Sequence, residues 1–149
     1  MTTILDRIFA YKKVEIERRM REEPLEVIKQ RVSSMAPVLS FSDCLSGPGI
    51  HLIAEVKKAS PSRGILVSDF DPVSLASTYV QGGASAISVL TEVDHFQGNL
   101  EHLLQVSQAV HTKGIPVLRK DFLFDPYQLY ESRAYGADGV ALPRADSAL

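Results

Sequence analysis

From His51 onward, short apolar runs alternate with amphipathic stretches, and the same punctuation fences each one. Asp71-Pro72 and Asp125-Pro126 each set a capping acid before a proline suited to the first helical position, while Gly82-Gly83, Gly114 and Gly136 each close a helix just ahead of an apolar run. The pattern predicts strands near 51–57, 86–92, 116–121 and 139–142, with helices near 72–81, 99–112 and 126–135. Strands joined in this way run parallel, with right-handed helical crossovers. Two α/β architectures start like this, a doubly wound sheet and an eight-stranded βα barrel. A barrel takes roughly 200 residues or more, whereas this chain of 149 residues reaches only its fourth strand.

The first fifty residues follow a helical rhythm instead. Thr3 is placed to cap a helix running through about Glu23, with Ile4, Ile8, Phe9, Val14, Ile16 and Met20 near one stripe and Arg and Lys filling the other side. Pro24 ends that helix, a second is expected over Leu25 to Val32, and Ser40 to Leu45 reads as one more turn before Gly47-Pro48-Gly49. The expected organisation is a helical extension over residues 1–50 and a βα unit over residues 51–149.

Composition narrows the partners. A 45% hydrophobic content suits one domain with a proper core, and a net charge of −2 with both signs interspersed provides no basic footprint for nucleic acid. Cys44 is the single cysteine, so neither an internal disulfide nor a thiolate cluster is possible, and no His or acid spacing suggests a metal site. Asp6, Arg7, Lys12, Lys13 and Glu15 interrupt the N-terminus, and no run approaches membrane-spanning length. The expectation is a cytoplasmic protein that acts on a small polar or phosphorylated metabolite.

In either architecture the ligand sits at the carboxyl ends of the strands. The first run ends in Glu55-Val56-Lys57-Lys58, so an acid and an amine share one face of an apolar strand, an expensive placement unless they are paired, hydrated or used. Ala59-Ser60-Pro61-Ser62-Arg63-Gly64 adds hydroxyls, a turn and an Arg at the same end. The second run ends in Leu90-Thr91-Glu92 and leads to His95-Phe96-Gln97-Gly98; the third ends in Arg119-Lys120-Asp121-Phe122. By parity Lys120 shares a face with Leu118 and Phe122, and Arg119 with Asp121. Lys57 and Lys120 then aim two amines at one opening, which calls for an acid such as Glu55 or an anionic ligand. Read alone, a strand-end Lys is an ordinary snorkelling residue, Ser-Pro is ordinary turn chemistry, and Phe96 is either a loop anchor or a wall for a ring-bearing ligand.

These segments, Ile53-Ala54-Glu55-Val56-Lys57-Lys58-Ala59-Ser60-Pro61-Ser62-Arg63-Gly64, Ser88-Val89-Leu90-Thr91-Glu92 with Phe96-Gln97-Gly98, Leu118-Arg119-Lys120-Asp121-Phe122, and Tyr135-Gly136-Ala137-Asp138, resemble in order the indole-3-glycerol phosphate synthases of tryptophan biosynthesis. The resemblance implies a TIM-type (βα) barrel that closes the indole ring of a carboxyphenylamino-deoxyribulose phosphate, losing carbon dioxide and water without a cofactor or metal. It casts Lys120 as the general acid at the substrate carbonyl, Lys57 as the partner of the substrate carboxylate and a further proton donor, and Glu55 as the acid that holds and tunes both amines. Ser60 matches a phosphate-loop hydroxyl, and Phe96 and Phe122 match walls against the aromatic ring.

The resemblance also marks departures. Ala141 and Pro143 stand where the family carries bulky aliphatics, which implies a looser ring pocket. Only about the first four βα units are present; the second acid, an orienting Asn and the glycine-rich part of the phosphate site belong to strands five to eight. The chain alone is therefore expected to be inactive, with open sheet edges and with Ile53, Leu90 and Leu118 lacking an opposing layer, so that it self-associates. The alternatives are a non-catalytic self-associating half-barrel and another phosphosugar-binding barrel enzyme.

Overall fold

A computed structural model describes residues 3–142. Helix α1 (Ile4–Glu22) starts at a capping box in which the Thr3 hydroxyl accepts from the Asp6 N–H and the Asp6 carboxylate accepts from the Thr3 N–H. α2 (Leu25–Ser33) and the single turn α3 (Phe41–Cys44, capped by Ser40) complete the extension. Strand β1 (Ile53–Val56) leads into a small antiparallel hairpin, β2 (Ala59–Ser60) with β3 (Gly64–Ile65). Then come α4 (Pro72–Gln81), β4 (Ala86–Leu90), α5 (Leu100–Val110) with a 3₁₀ turn over His111–Lys113, β5 (Val117–Lys120), α6 (Pro126–Ala134) and β6 (Gly139–Val140). Asp71 and Asp125 cap α4 and α6 as their sequence context predicts, the Asp71 carboxylate accepting from the N–H groups of Val73 and Ser74.

The four longer-range strands form one parallel sheet in the order β1-β4-β5-β6. Ala54, Val56, Ile87, Val89 and Val117 point to one face and pack beneath Ala76 of α4 and Leu103, Val106 and Val110 of α5. Full burial of each Leu or Val here contributes about 1.5–3 kcal/mol. Arg119 emerges on that same face and meets α6 through the Gln128 carbonyl and the Glu131 carboxylate. All three crossover helices thus cover one side of the sheet. A doubly wound sheet needs helices on both, so the architecture is the opening portion of a βα barrel, with the other face as the barrel interior.

The extension is fastened to α6 and to the segment before β6 at several points. Ile16 of α1 and Ile28 of α2 pack with Tyr127 and Ala134 of α6, and the Tyr127 hydroxyl donates to the Glu23 carbonyl at 2.9 Å. Asp138, just before β6, accepts from the Leu39 N–H, the Val117 N–H and the His111 ring at 2.7–2.9 Å.

Two expectations about α1 need correction. Val14 is 66% exposed and lies off the buried stripe, while Lys12, expected among the solvated cations, is 1% exposed. The buried positions are Ile8, Lys12 and Ile16, an i, i+4, i+8 row, and Lys12 occupies its centre because buried carboxylates face it.

Candidate active site

The interior face is laid out in register. Glu55, Ser88 and Leu118 pair across neighbouring strands, and Leu90 pairs with Lys120 one step nearer the carboxyl end. Glu55 and Lys57 form an ion pair at 3.0 Å, both about one-third exposed. Glu55 was expected to hold both amines; among the described residues it pairs with Lys57 only. Lys120 points from the end of β5 into the opening with no ion-pair partner among the described residues. The hairpin after β1 carries Ser60 opposite Gly64, whose φ of +66° is a backbone state a side chain would oppose.

Phe96 is held by a device that sequence reading passed over. Glu92, 1% exposed, folds its carboxylate back to accept from the N–H groups of Asp94 (3.1 Å), His95 (2.7 Å) and Phe96 (3.0 Å). A carboxylate with three backbone donors is well stabilised when buried, and it fixes the loop as a compact turn. Gly98 closes that loop so tightly against β4 that a Cβ there would lie 2.3 Å from the Leu90 carbonyl oxygen. Leu90, expected to lack a covering layer, is 4% exposed. Ile53 remains 42% exposed and Leu118 is half-buried.

Two adjoining cavities meet at Phe96 and Phe122. One, of about 680 Å³, is lined by Lys57, Ser60, Arg63 and those two rings, with Ile4 and Ile8 of α1 forming a wall. The other, of about 180 Å³, is lined by Leu90, Lys120, Ala141 and the same rings. Lys57, Ser60, Phe96, Lys120 and Phe122 therefore converge at the carboxyl ends of the strands, with Glu55 reaching them through Lys57. Ala141 lines the smaller cavity, where a small side chain leaves room; Pro143 lies outside the described residues. The wall given by α1 had no signal in the sequence, because a helix pattern shows which residues are apolar and not what they face.

Behind Lys120 runs a closed circuit of alternating charge. Lys12 contacts Asp121 (3.0 Å), Asp121 contacts Arg119 (3.0 Å), and Arg119 contacts Glu131 (2.9 Å). Glu131 contacts Arg19 (3.2 Å), Arg19 contacts Glu15, and Glu15 returns to Lys12 (2.7 Å). Three cations and three acids give no net charge, which is what lets the group stay buried. The Thr91 hydroxyl adds a 2.6 Å bond to Asp121 and accepts from Arg119 at 2.9 Å. Burial alone would push the Asp121 carboxyl up, but Arg119, then Lys12, then the Thr91 hydrogen bond outweigh it and hold the group below its ordinary 3.8.

A parallel βα sheet with helices on one face, and with two amines, a hydroxyl turn and two aromatic rings at its carboxyl ends, places the chain in the class of βα-barrel proteins. Comparison with known proteins is more specific. The family model described as indole-3-glycerol phosphate synthase matches residues 5–143, and the chain belongs to that family. The indole-3-glycerol phosphate synthase of Roseiflexus sp. (strain RS-1) is 50% identical over 146 residues, covering 95% of this chain and 54% of the relative. That of Dehalococcoides mccartyi (strain CBDB1) is 49% identical over 140 residues, covering 93% and 54%, and that of Lacticaseibacillus paracasei is 48% identical over 136 residues, covering 90% and 51%. The chain spans about half the length of the curated relatives it matches.

Proposed function

We propose that this chain supplies the N-terminal half of an indole-ring-closing active site, with residues 1–50 as a helical extension and residues 51–149 as the first βα units. The observation that carries the reading is the convergence of Lys57, Ser60, Lys120, Phe96 and Phe122 on two adjoining cavities at the strand ends. The substrate class is a phosphorylated ketose bearing a carboxyphenylamino group. Phe96 and Phe122 flank its ring, Lys57 pairs with its carboxylate while Glu55 restrains the amine, and Ser60 takes part of the phosphate.

In ring closure the aromatic carbon bearing the carboxylate attacks the ketose carbonyl, and a carbon–carbon bond forms as Lys120 protonates the carbonyl oxygen. The carboxylate then leaves as carbon dioxide, its bonding pair neutralising the iminium, and the new hydroxyl departs as water after protonation while the adjacent ring carbon gives up a proton, whose bonding pair closes the indole double bond. The ring closure and the dehydration each need a proton donor, the decarboxylation needs none, and no step needs a redox group. Fusing this chain to the four C-terminal βα units of the Roseiflexus relative and assaying formation of indole-3-glycerol phosphate tests the reading. Turnover is expected, and Lys120→Met should lower kcat roughly 100-fold or more while substrate still binds. Retained turnover in Lys120→Met would remove its role as the acid. The reaction is assigned to the cytoplasm; among the described residues no helix is long and apolar enough to cross a membrane.

A further inference from the structure

We infer that Lys12, in the helical extension, is a positioning residue for Lys120, acting through Asp121; the inference rests on the ring-closure reading above. Asp121 lies between Lys120 and Phe122, and all three line the smaller cavity. Its two oxygens are divided between two tasks. Oδ1 meets the Lys12 ammonium (3.0 Å) and accepts from the Phe122 N–H (2.8 Å), while Oδ2 takes Arg119 (3.0 Å) and the Thr91 hydroxyl (2.6 Å). The backbone that aims Lys120 is thus held on one side by β4 and on the other by α1. Phe9, one turn before Lys12, packs its ring edge-on to Phe122 with centroids 5.8 Å apart, so α1 grips the same three-residue segment twice.

Without the Lys12 charge, Oδ1 keeps only the Phe122 N–H, and the Asp121 carboxylate is free to turn toward Arg119. Phe122 and Lys120 then lose their fixed direction. Arg119 and the Thr91 hydroxyl still hold Oδ2, so Asp121 keeps a cation beside it although the circuit is one cation short, and the consequence for Lys120 falls on geometry. A displacement of about 1 Å at a reacting group costs up to ~100-fold in rate.

The test uses the fused full barrel described above, with two readouts: steady-state kinetics, and the ¹³Cε signal of Lys120 assigned by its loss in Lys120→Met. Lys12→Met should lower kcat roughly 10- to 100-fold with KM changed less than about threefold. It should also move or broaden the Lys120 signal, and Lys12→Arg should restore most of both. If Lys12→Met unfolds the protein, the paired variant Lys12→Met/Asp121→Asn, which leaves no lone buried charge at this contact, is expected to show the same kcat loss. A kcat within twofold of the parent, or a rise in KM alone, overturns the inference. A parent that shows no turnover removes the ring-closure reading instead. The Lys120 signal then decides the positioning role: movement in Lys12→Met supports it, and an unchanged signal overturns it.

Discussion

Asp138 shows how much one side chain can hold together. Its carboxylate ties the extension at Leu39, the entry to β5 at Val117 and the end of α5 at His111. Burial pushes its pKa up, but the hydrogen bonds from His111, Val117 and Leu39 together outweigh burial and hold the group below 3.8. A carboxylate depressed in the folded state stabilises the fold above its unfolded pKa, and that contribution fades as pH falls through the folded value. Asp121 titrates in the same direction, so acid sensitivity should set in below about pH 4. Asp138→Asn should cost about 1–3 kcal/mol near neutral pH, and the gap to the parent should narrow as pH drops below 3.8. Urea unfolding at several pH values measures this; a gap that stays constant into acid would contradict it. Side chains at strand ends were legible in the sequence because parity in a strand is strict, which is how Lys57, Lys120 and Phe122 were found to share a face. Lys12 was not, since its partner Asp121 lies far along the chain and a helical wheel does not show what a charged position meets.

Helix bounds were legible where caps are chemical. Asp71-Pro72 and Asp125-Pro126 placed the starts of α4 and α6 at the observed residues, and Thr3 did so for α1. The β2–β3 hairpin escaped notice because two-residue strands have no period to read. The attachment of α1 to β5 and α6 was also invisible, being a matter of which buried charges find each other. That attachment predicts an asymmetric response to mutation. Arg119 is fully buried and separates Asp121 from Glu131 in the charge circuit. Arg119→Met leaves two buried carboxylates short of a cation and should destabilise the fold by about 3–5 kcal/mol, the usual cost of stripping one partner from a buried pair. Arg18→Met, which removes only a solvated pair with Glu22 at 2.8 Å, should leave stability nearly unchanged. Thermal and urea unfolding of the two variants side by side would expose the difference, and equal costs would mean that the circuit is dispensable.

The sheet has one covered face and one open face, and that imbalance governs how residues 1–149 should behave as an isolated polypeptide. α4, α5 and α6 shield the outer side, whereas the interior leaves Ile53 42% exposed and Leu118 half-buried. Among the described residues no strand pairs with the outer edge of β1 or covers β6 on its far side. A barrel hides such an interior by closing on itself, and an open edge beside apolar surface templates pairing with another chain. Composition could not reveal this, because the same apolar count serves a closed and an open sheet; only the alternation of faces and the missing opposing layer do. Leu90, 4% exposed, lessens the exposure of that face without removing it. The isolated chain is expected to self-associate, giving a mass of two or more copies by light scattering at micromolar concentration. Adding the four C-terminal βα units of a relative as a separate polypeptide should convert those species to a one-to-one complex, because a matched half covers both edges and the interior at once, whereas a second identical copy meets each strand end with another pair of lysines. A monodisperse, cooperatively unfolding monomer that ignores the added half would show that the open face is stable in water as it stands.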